Sequence, residues 1–185
     1  VYHTKEEMID CVNTFYDGMV ARSEEMKQHP NYKTGENYAY LGLPPCFLIF
    51  DEYVAFFEML ATKESMSLLS QLKKIVMLGR QAGYFLIVAC QRPDAKYFSD
   101  GIRDNFNFRV GLGRISELGY GMLFGSDVKK QFFQKRIKGR GYCDVGTSVI
   151  SEFYTPLVPK GHDFLQTIGR LAQKQQSTQV QQEKE

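Results

Sequence analysis

The sequence predicts an α/β fold with a mainly parallel sheet flanked by helices, and two observations lead to that prediction. Short, continuous apolar runs occur at Cys46–Phe50 and at 84–90, as expected for strands covered on both faces. Helical patterns of apolar residues occupy 4–28 and 65–80, before and between these runs. Strands that alternate with helices favour parallel pairing, because each helix returns the chain to the edge where the previous strand began.

The first helix is predicted from a repeated apolar face and from start and stop signals. Thr4 with Glu7 resembles a capping box, in which each side chain bonds the other residue's backbone. The dipeptide His29-Pro30 ends the pattern, because proline cannot continue a helix. Apolar residues recur between these signals at helical spacing, at Met8, Val12, Phe15, Met19 and Met26.

The middle of the chain predicts further strands. The helix at 65–80 is followed by Gly83, a residue type that commonly ends helices. A third strand is predicted from the apolar residues at 108–112. Two strand-like runs within 139–154 flank a turn at Gly146, which predicts a hairpin at the edge of the sheet.

The end of the chain changes in composition. A last helix is predicted at 162–171, within a single domain of residues 1–172. Residues 173–185 are Gln, Lys, Glu and Ser with almost nothing to bury, which predicts a disordered polar tail. Since the sequence begins with Val1 rather than Met, in the middle of a helical pattern, we expect it to be part of a longer protein.

The overall composition excludes several classes of protein. Of the 185 residues, 43% are apolar and 24% are charged, both ordinary values for a globular domain. A net charge of +2 is too small to indicate nucleic-acid binding by itself. The four cysteines are scattered without a CxxC pair, which argues against a zinc site or a disulfide framework. No apolar run approaches the roughly 20 residues that a membrane span needs.

Polar side chains follow the two buried runs where each predicted strand ends. Asp51 and Glu52 come directly after the first run, and Gln91 follows the second. Open α/β sheets bind their ligands at the carboxyl ends of parallel strands, so these groups are candidates for a nucleotide site. Two other interpretations stay open: the acids also suit the start of a solvated helix, and Gln91 also suits an ordinary strand end.

The order of these blocks resembles the FtsK/SpoIIIE group of DNA translocases, within the RecA-like motor (P-loop NTPase) superfamily. The Walker B strand of that group is matched at 47–52. Its GRxAG block is matched at 79–83, and its TQRP block at 90–93 with Cys in place of Thr. The resemblance extends over about residues 5–158. The hairpin at 139–156 looks most similar to the coupling ATPases of Gram-positive conjugative elements.

The resemblance implies a role for each matched residue, with ATP and Mg²⁺ as cofactors. It implies that Asp51 serves Mg²⁺ through water, that Glu52 activates the attacking water, and that Gln91 detects the γ-phosphate. It also implies that Arg80 reaches into a neighbouring subunit's site as an arginine finger, with Arg22 as the second choice. Arg80 also fits a simpler interpretation, in which it compensates the dipole of its own helix.

One part of the family's nucleotide site has no counterpart in this sequence. The phosphate-binding pattern GxxxxGK[ST] does not occur. In the family that loop precedes the Walker B strand, so we expect it upstream of the sequence given. This chain alone is therefore expected to bind nucleotide poorly and to be inactive.

The resemblance further implies a double-stranded DNA substrate and a hexameric ring. Arg92 and Arg103 match family positions on a loop that faces the ring's channel, and Arg114 lies near a second such loop. A basic run within 129–140 fits a solvated surface at least as well as a DNA contact. Phe132 and Phe133 within it are expected to anchor the segment to the core. The implied protein is bacterial and membrane-anchored, with this part in the cytoplasm beside conjugation or secretion channel components.

Two other functions remain open on the sequence. A type VII secretion ATPase shares these blocks but moves protein. A ring module that recruits a partner without hydrolysing ATP would have the same fold. The presence of Asp51, Glu52 and Gln91 together argues against the recruitment module, because a silent site needs neither acid.

Overall fold

Helices and strands alternate along the chain. The computed structural model describes residues 1–91, 96–98, 100–128, 132, 137–147 and 149–171. A short 3₁₀ turn lies at Tyr38–Leu41. The helices and strands are α1 (Lys5–Gln28), β1 (Cys46–Phe50), α2 (Tyr53–Glu58), α3 (Thr62–Ala82), β2 (Tyr84–Val88), α4 (Asp100–Arg103), β3 (Arg109–Leu112), α5 (Glu117–Phe124), β4 (Arg140–Asp144), β5 (Ser151–Tyr154) and α6 (164–171).

Both long helices that the sequence predicts are present, α1 within one residue of its predicted bounds and α3 somewhat longer than predicted. Thr4 caps α1, and its side chain and that of Glu7 each bond the other's backbone, so the predicted capping box is confirmed. Helix α3 starts three residues before the predicted range and ends at Gly83. The φ of Gly83 is +77°, in the left-handed region where a side chain is unfavourable, which is why glycine ends this helix.

Strands β1 and β2 form a parallel pair, as predicted. Cys46 is opposite Tyr84, and the pairing continues in register to Phe50 opposite Val88. Beyond the strands, the Ala89 N–H donates to the Phe50 carbonyl at 2.8 Å. The carboxyl ends of both strands therefore lie side by side at one edge of the sheet.

The core lies on one face of this strand pair. Leu48 and Phe50 are buried there with Val12 of α1 and Leu72 of α3. The alternate side chains of β1 point the other way, and Phe47 and Ile49 are 55% and 67% exposed. The prediction that this strand is covered on both faces is therefore wrong for the described residues, because α1 and α3 both pack against the same side.

Strand β3 does not extend the parallel sheet, contrary to the prediction. It lies in a separate sheet with the order β3-β4-β5 and pairs with β4 in the antiparallel direction. Arg109 is opposite Asp144, and the partly buried Arg109 side chain forms an ion pair with the buried Asp144 carboxylate at 3.3 Å. Gly141 allows the close approach, because a Cβ there would lie 1.8 Å from the Gly111 carbonyl oxygen. These pairings fix β3 beside β4.

The second sheet has its own small core. Tyr120 of α5 stacks on Phe132 with ring centroids 4.2 Å apart, and Tyr142 packs edge-on against both rings. The expected anchoring role is thus confirmed for Phe132, whereas Phe133 lies outside the described residues. Strands β4 and β5 are neighbours, as the predicted hairpin requires, but they lie in this second sheet and not at the edge of the parallel pair.

The chain divides into two compact units, Val1–Phe153 and Tyr154–Glu185. In the second unit, α6 confirms the predicted last helix, and the Asp163 carboxylate accepts the Gln166 N–H at its start. The predicted tail, 173–185, lies outside the described residues. Among the helices that the structure describes, none combines the length and hydropathy needed to cross a membrane.

Candidate functional site

The candidate site begins where β1 ends. Asp51 is exposed immediately after the strand, and Glu52, which is partly exposed, precedes the first residue of α2. Glu52 has φ 57° and ψ 54°, and it is the only non-glycine residue in the described part of the chain with positive φ. Such a conformation costs roughly 1–3 kcal/mol and persists only where the surroundings impose it. The chain therefore turns sharply just where the two carboxylates lie.

Gln91 lies beside these acids. Its backbone N–H donates to Oε1 of Glu52 at 3.1 Å, and its side chain is exposed. The contact joins residues 39 positions apart in the sequence. The structure thus brings together Asp51, Glu52 and Gln91 at the carboxyl edge of the parallel strand pair.

Cys90 is a member of this site that sequence analysis did not assign. Burial raises the pKa of its thiol, and the negative charge of Glu52 raises that pKa further. A thiol with a raised pKa stays protonated near neutral pH and is a poor nucleophile. Cys90 is therefore a small packing residue close to the charge of Glu52. Its position in the sequence, between β2 and Gln91, could have indicated that it belongs to the site.

The carboxylates at this edge suit a Mg²⁺ ion that takes most of its ligands from water and from substrate phosphates. Carboxylate oxygens are the protein ligands that Mg²⁺ prefers, and the ion commonly keeps several waters beside one or two carboxylates and substrate phosphates. Within the described ranges, no group of three or more His, Cys, Asp or Glu is arranged to hold a metal. The exposed Asp51 carboxylate suits an ion of this kind, which it would hold through one of the ion's waters.

Arg22 is held inside the chain at the opposite edge of the sheet. Its Nη1 donates to the Pro44 carbonyl at 2.7 Å and to the Ala82 carbonyl at 3.3 Å. Its Nη2 contacts Sγ of Cys46 at 3.4 Å, and the guanidinium lies 4.8 Å from the centre of the Tyr84 ring. These contacts tie α1 to the start of both parallel strands.

Arg80 is free to reach outward. It lies in the last turn of α3, is exposed, and makes no hydrogen bond or ion pair with any described residue. Both Arg80 and Arg22 lie near the amino ends of the strands, whereas Asp51 and Glu52 follow the carboxyl end of β1. A strand of five residues spans roughly 16 Å, so neither arginine reaches the acids of its own chain.

The predicted DNA contacts are described only in part. Arg103 ends α4, and its Nε lies 3.3 Å from Oδ1 of Asp104. It also lines an open groove of about 370 Å³ with Glu117 and Met122 of α5. Arg114 is exposed between β3 and α5. Arg92, like most of the basic run at 129–140, lies outside the described residues.

Comparison with known proteins identifies relatives of the chain. It matches no family model. It is 58% identical over 168 residues to the FtsK domain-containing protein YdcQ of Bacillus subtilis strain 168, covering 91% of this chain and 35% of that protein. The chain therefore spans about a third of the length of this curated relative.

Three solved structures share the fold. The cytoplasmic domain of the type VII secretion ATPase EccC of Thermomonospora curvata matches 88% of this chain and 19% of its own, with a TM-score of 0.62 and 20% identity. The second is the conjugation coupling protein TcpA of pCW3, in its monomer form with ATPγS. The match covers 79% of this chain and 44% of TcpA, with a TM-score of 0.61 and 18% identity. The third is EssC (ATPases 2 and 3) from Geobacillus thermodenitrificans. The match covers 94% of this chain and 32% of the EssC chain, with a TM-score of 0.58 and 15% identity. The predicted RecA-like α/β fold is confirmed, whereas the predicted mainly parallel sheet is found only in part, as the pair β1-β2.

Proposed function

Because this chain belongs to the FtsK-domain ATPases, we propose that it supplies the hydrolytic part of an ATP-driven motor that moves double-stranded DNA. The observation that supports the proposal most directly is the hydrogen bond from the Gln91 backbone to Glu52. It holds the partly exposed carboxylate of Glu52 close to Gln91, whose side chain is exposed, at the edge where α/β sheets bind ligands. The sequence has no GxxxxGK[ST] loop, so the proposal requires another part of the full-length protein to cradle the phosphates.

Each residue at the edge has a chemical task in this proposal. Asp51 holds the magnesium ion of Mg–ATP, which neutralises charge on the phosphates. Glu52 accepts the proton of the attacking water, and its bond to the Gln91 backbone fixes the carboxylate's direction. The Gln91 side chain orients the water or contacts the γ-phosphate.

The proposed arginine finger is Arg80, acting at the site of a neighbouring subunit in a hexameric ring. Its exposure and its lack of a partner among the described residues support that role. Arg22 is the weaker candidate, because its guanidinium already bonds the Pro44 and Ala82 carbonyls. An arginine supplied from a neighbour stabilises the charge that develops during phosphoryl transfer, by a factor of about 10³ or more.

The proposed DNA contacts are Arg92, Arg103 and Arg114, which would bind the phosphate backbone without reading sequence. The similarity to a conjugation coupling protein supports DNA as the substrate. The similarity to a type VII secretion ATPase supports a second candidate function, in which the same motor moves protein. In either case we propose a cytoplasmic domain that works beside channel components at the membrane of a bacterium.

The test is ATP hydrolysis by the full-length protein that contains this sequence, with and without long duplex DNA. Duplex DNA should raise the rate of hydrolysis. Glu52→Gln should lower turnover about 10²- to 10⁴-fold while sparing nucleotide binding, because it removes the base and keeps the shape. Glu58→Gln is the matched control, since Glu58 is an exposed acid at the far end of α2.

Each result has a clear meaning. Hydrolysis that depends on Glu52 but is indifferent to DNA would favour the protein-moving motor. Hydrolysis that is unaffected by Glu52→Gln would contradict the catalytic role of this edge. Nucleotide binding without any hydrolysis would favour a recruitment module.

A further inference from the structure

Tyr53 joins the candidate site to a second segment of the chain. It follows Glu52 directly and is the first residue of α2. Its backbone N–H donates to the Ala89 carbonyl at 2.9 Å, just before Cys90 and Gln91. Its side chain is 1% exposed, so the ring lies inside the core while its backbone belongs to the edge that carries the acids.

The hydroxyl of Tyr53 reaches the segment 96–98. It donates to the backbone carbonyl of Tyr97 at 3.2 Å, in a buried contact. The ring of Tyr53 lies 4.7 Å from that of Phe98, and Phe57 of the same helix lies 5.4 Å from the Tyr97 ring. One turn of α2 thus holds both aromatic residues of this segment.

The segment 96–98 has a defined place relative to the proposed DNA contacts. In sequence it lies between Arg92 and Arg103, which are both proposed to face DNA. Helix α4 begins two residues after the segment and carries Arg103 at its end. Ile102, next to Arg103, is buried, so α4 is anchored by this side chain. A change in the position of Tyr97 therefore acts close to the start of α4, the helix that carries Arg103.

We infer that Tyr53 is a positioning residue that couples the state of the nucleotide site to the segment 96–98, which precedes the helix of the proposed DNA contact Arg103, an inference that rests on the proposed function. A movement of Glu52 or Gln91 on nucleotide binding moves the first turn of α2. The Tyr53 hydroxyl passes that movement to the Tyr97 carbonyl. Contact of the arginines with DNA acts on the site through the same bond in the reverse direction.

The hydroxyl is suited to this task. It donates to the Tyr97 carbonyl in a buried contact, so water does not compete for this bond. The Tyr97 carbonyl loses a bond in a buried place when this donor is removed, because phenylalanine keeps the ring and offers nothing in exchange. Tyr53→Phe therefore isolates the bond from the packing of the ring.

The test is amide hydrogen exchange of the full-length protein, with and without Mg–ATPγS. Nucleotide should change the exchange of peptides covering 96–103 by at least about fivefold in the wild type. Tyr53→Phe should abolish that difference while still binding ATPγS. Tyr97→Phe is the matched control, because it removes a hydroxyl from the same cluster that makes no hydrogen bond with a described residue, and the difference should persist.

Two results would overturn the inference. One is a full nucleotide-dependent difference in Tyr53→Phe, and the other is a wild type whose 96–103 peptides do not respond to nucleotide. A purely structural role of the hydroxyl would speed exchange equally with and without nucleotide, and would therefore give the first of these results.

A second measurement separates this inference from the proposed substrate. The ratio of ATP hydrolysis with DNA to hydrolysis without DNA should fall towards one in Tyr53→Phe and stay at the wild-type value in Tyr97→Phe. If the exchange result is as expected and DNA stimulates none of the proteins, the coupling stands and DNA is the wrong substrate. If DNA stimulates Tyr53→Phe as fully as the wild type, the coupling is wrong and the DNA motor stands.

Discussion

At the scale of single residues, Glu52 shows how the site is held in place. Its left-handed backbone is unfavourable for a residue with a side chain, by roughly 1–3 kcal/mol. Two hydrogen bonds offset that cost: the Gln91 N–H to its carboxylate, and the following N–H of Tyr53 to Ala89. Because both bonds cross from β1 to β2, the strand pair itself determines where the carboxylate lies.

The effect of the Glu52 charge on the Cys90 thiol predicts a chemical result. Burial, and then the charge of Glu52, raise the pKa of the Cys90 thiol, so its thiolate is scarce at pH 8. Glu52→Gln removes the second cause, which lowers that pKa part of the way and raises the thiolate fraction. Alkylation of Cys90 by iodoacetamide at pH 8, followed by mass spectrometry, should therefore be roughly two- to fivefold faster in Glu52→Gln.

A matched acid serves as the control for this experiment. Glu58→Gln removes an equal charge from the other end of α2 and should leave the alkylation rate of Cys90 unchanged. An unchanged rate in Glu52→Gln as well would mean that the carboxylate lies farther from the thiol than the structure shows.

At the scale of elements, the close approach of α3 to β2 depends on Gly79. A Cβ at this position would lie 2.3 Å from the Tyr84 carbonyl oxygen, which is backbone and cannot rotate away. Gly79→Ala should therefore lower the free energy of unfolding by about 1–3 kcal/mol, measured by urea denaturation. The glycine in the GRxAG block is then explained by packing, while the adjacent Arg80 stays exposed.

Gly121 of α5 provides the opposite case. A Cβ there meets nothing within 4 Å. Gly121→Ala should therefore leave stability unchanged or raise it by up to about 1 kcal/mol, because alanine loses less backbone entropy in a helix. Equal losses in both variants would contradict the packing explanation for Gly79.

Elements with a strong local pattern could be predicted from the sequence, and elements fixed by distant contacts could not. The capping box of α1 and the apolar run of β1 are local signals, and both were found. Helix α2 was missed, because it has six residues and no side-chain cap, and its aromatic residues also suit a strand. Helix α5 was missed although Ser116 caps it, because Gly119 and Gly121 lower its helical propensity.

The same distinction applies to pairing and to the site. The direction of β3 depends on Arg109 meeting Asp144, 35 positions later in the sequence, which no local pattern indicates. The edge formed by Asp51, Glu52 and Gln91 was predictable, because carboxyl ends of parallel strands coincide. The bond from Tyr53 to Tyr97 was not, because it depends on how the aromatic core packs.

At the scale of the whole molecule, the proposed catalytic groups lie at opposite edges of one strand pair. Asp51 and Glu52 follow the carboxyl end of β1, and Arg80 lies near the amino end of β2. A molecule with complementary halves of a site on different surfaces is suited to head-to-tail assembly, in which each interface joins unlike surfaces and a rotation closes the ring. The proposed site would then be complete only between two subunits.

This geometry predicts complementation between two inactive proteins. Arg80→Ala and Glu52→Gln should each abolish ATP hydrolysis in the full-length protein. In an equal mixture that is allowed to reassemble, about a quarter of the interfaces pair an intact Glu52 with a neighbour's intact Arg80, so hydrolysis should return in part. A mixture of Asp51→Asn with Glu52→Gln should stay inactive, because both acids belong to the same half of the site. Recovery in neither mixture would contradict an Arg80 finger supplied by a neighbour, and recovery in both would contradict the division of the site between subunits.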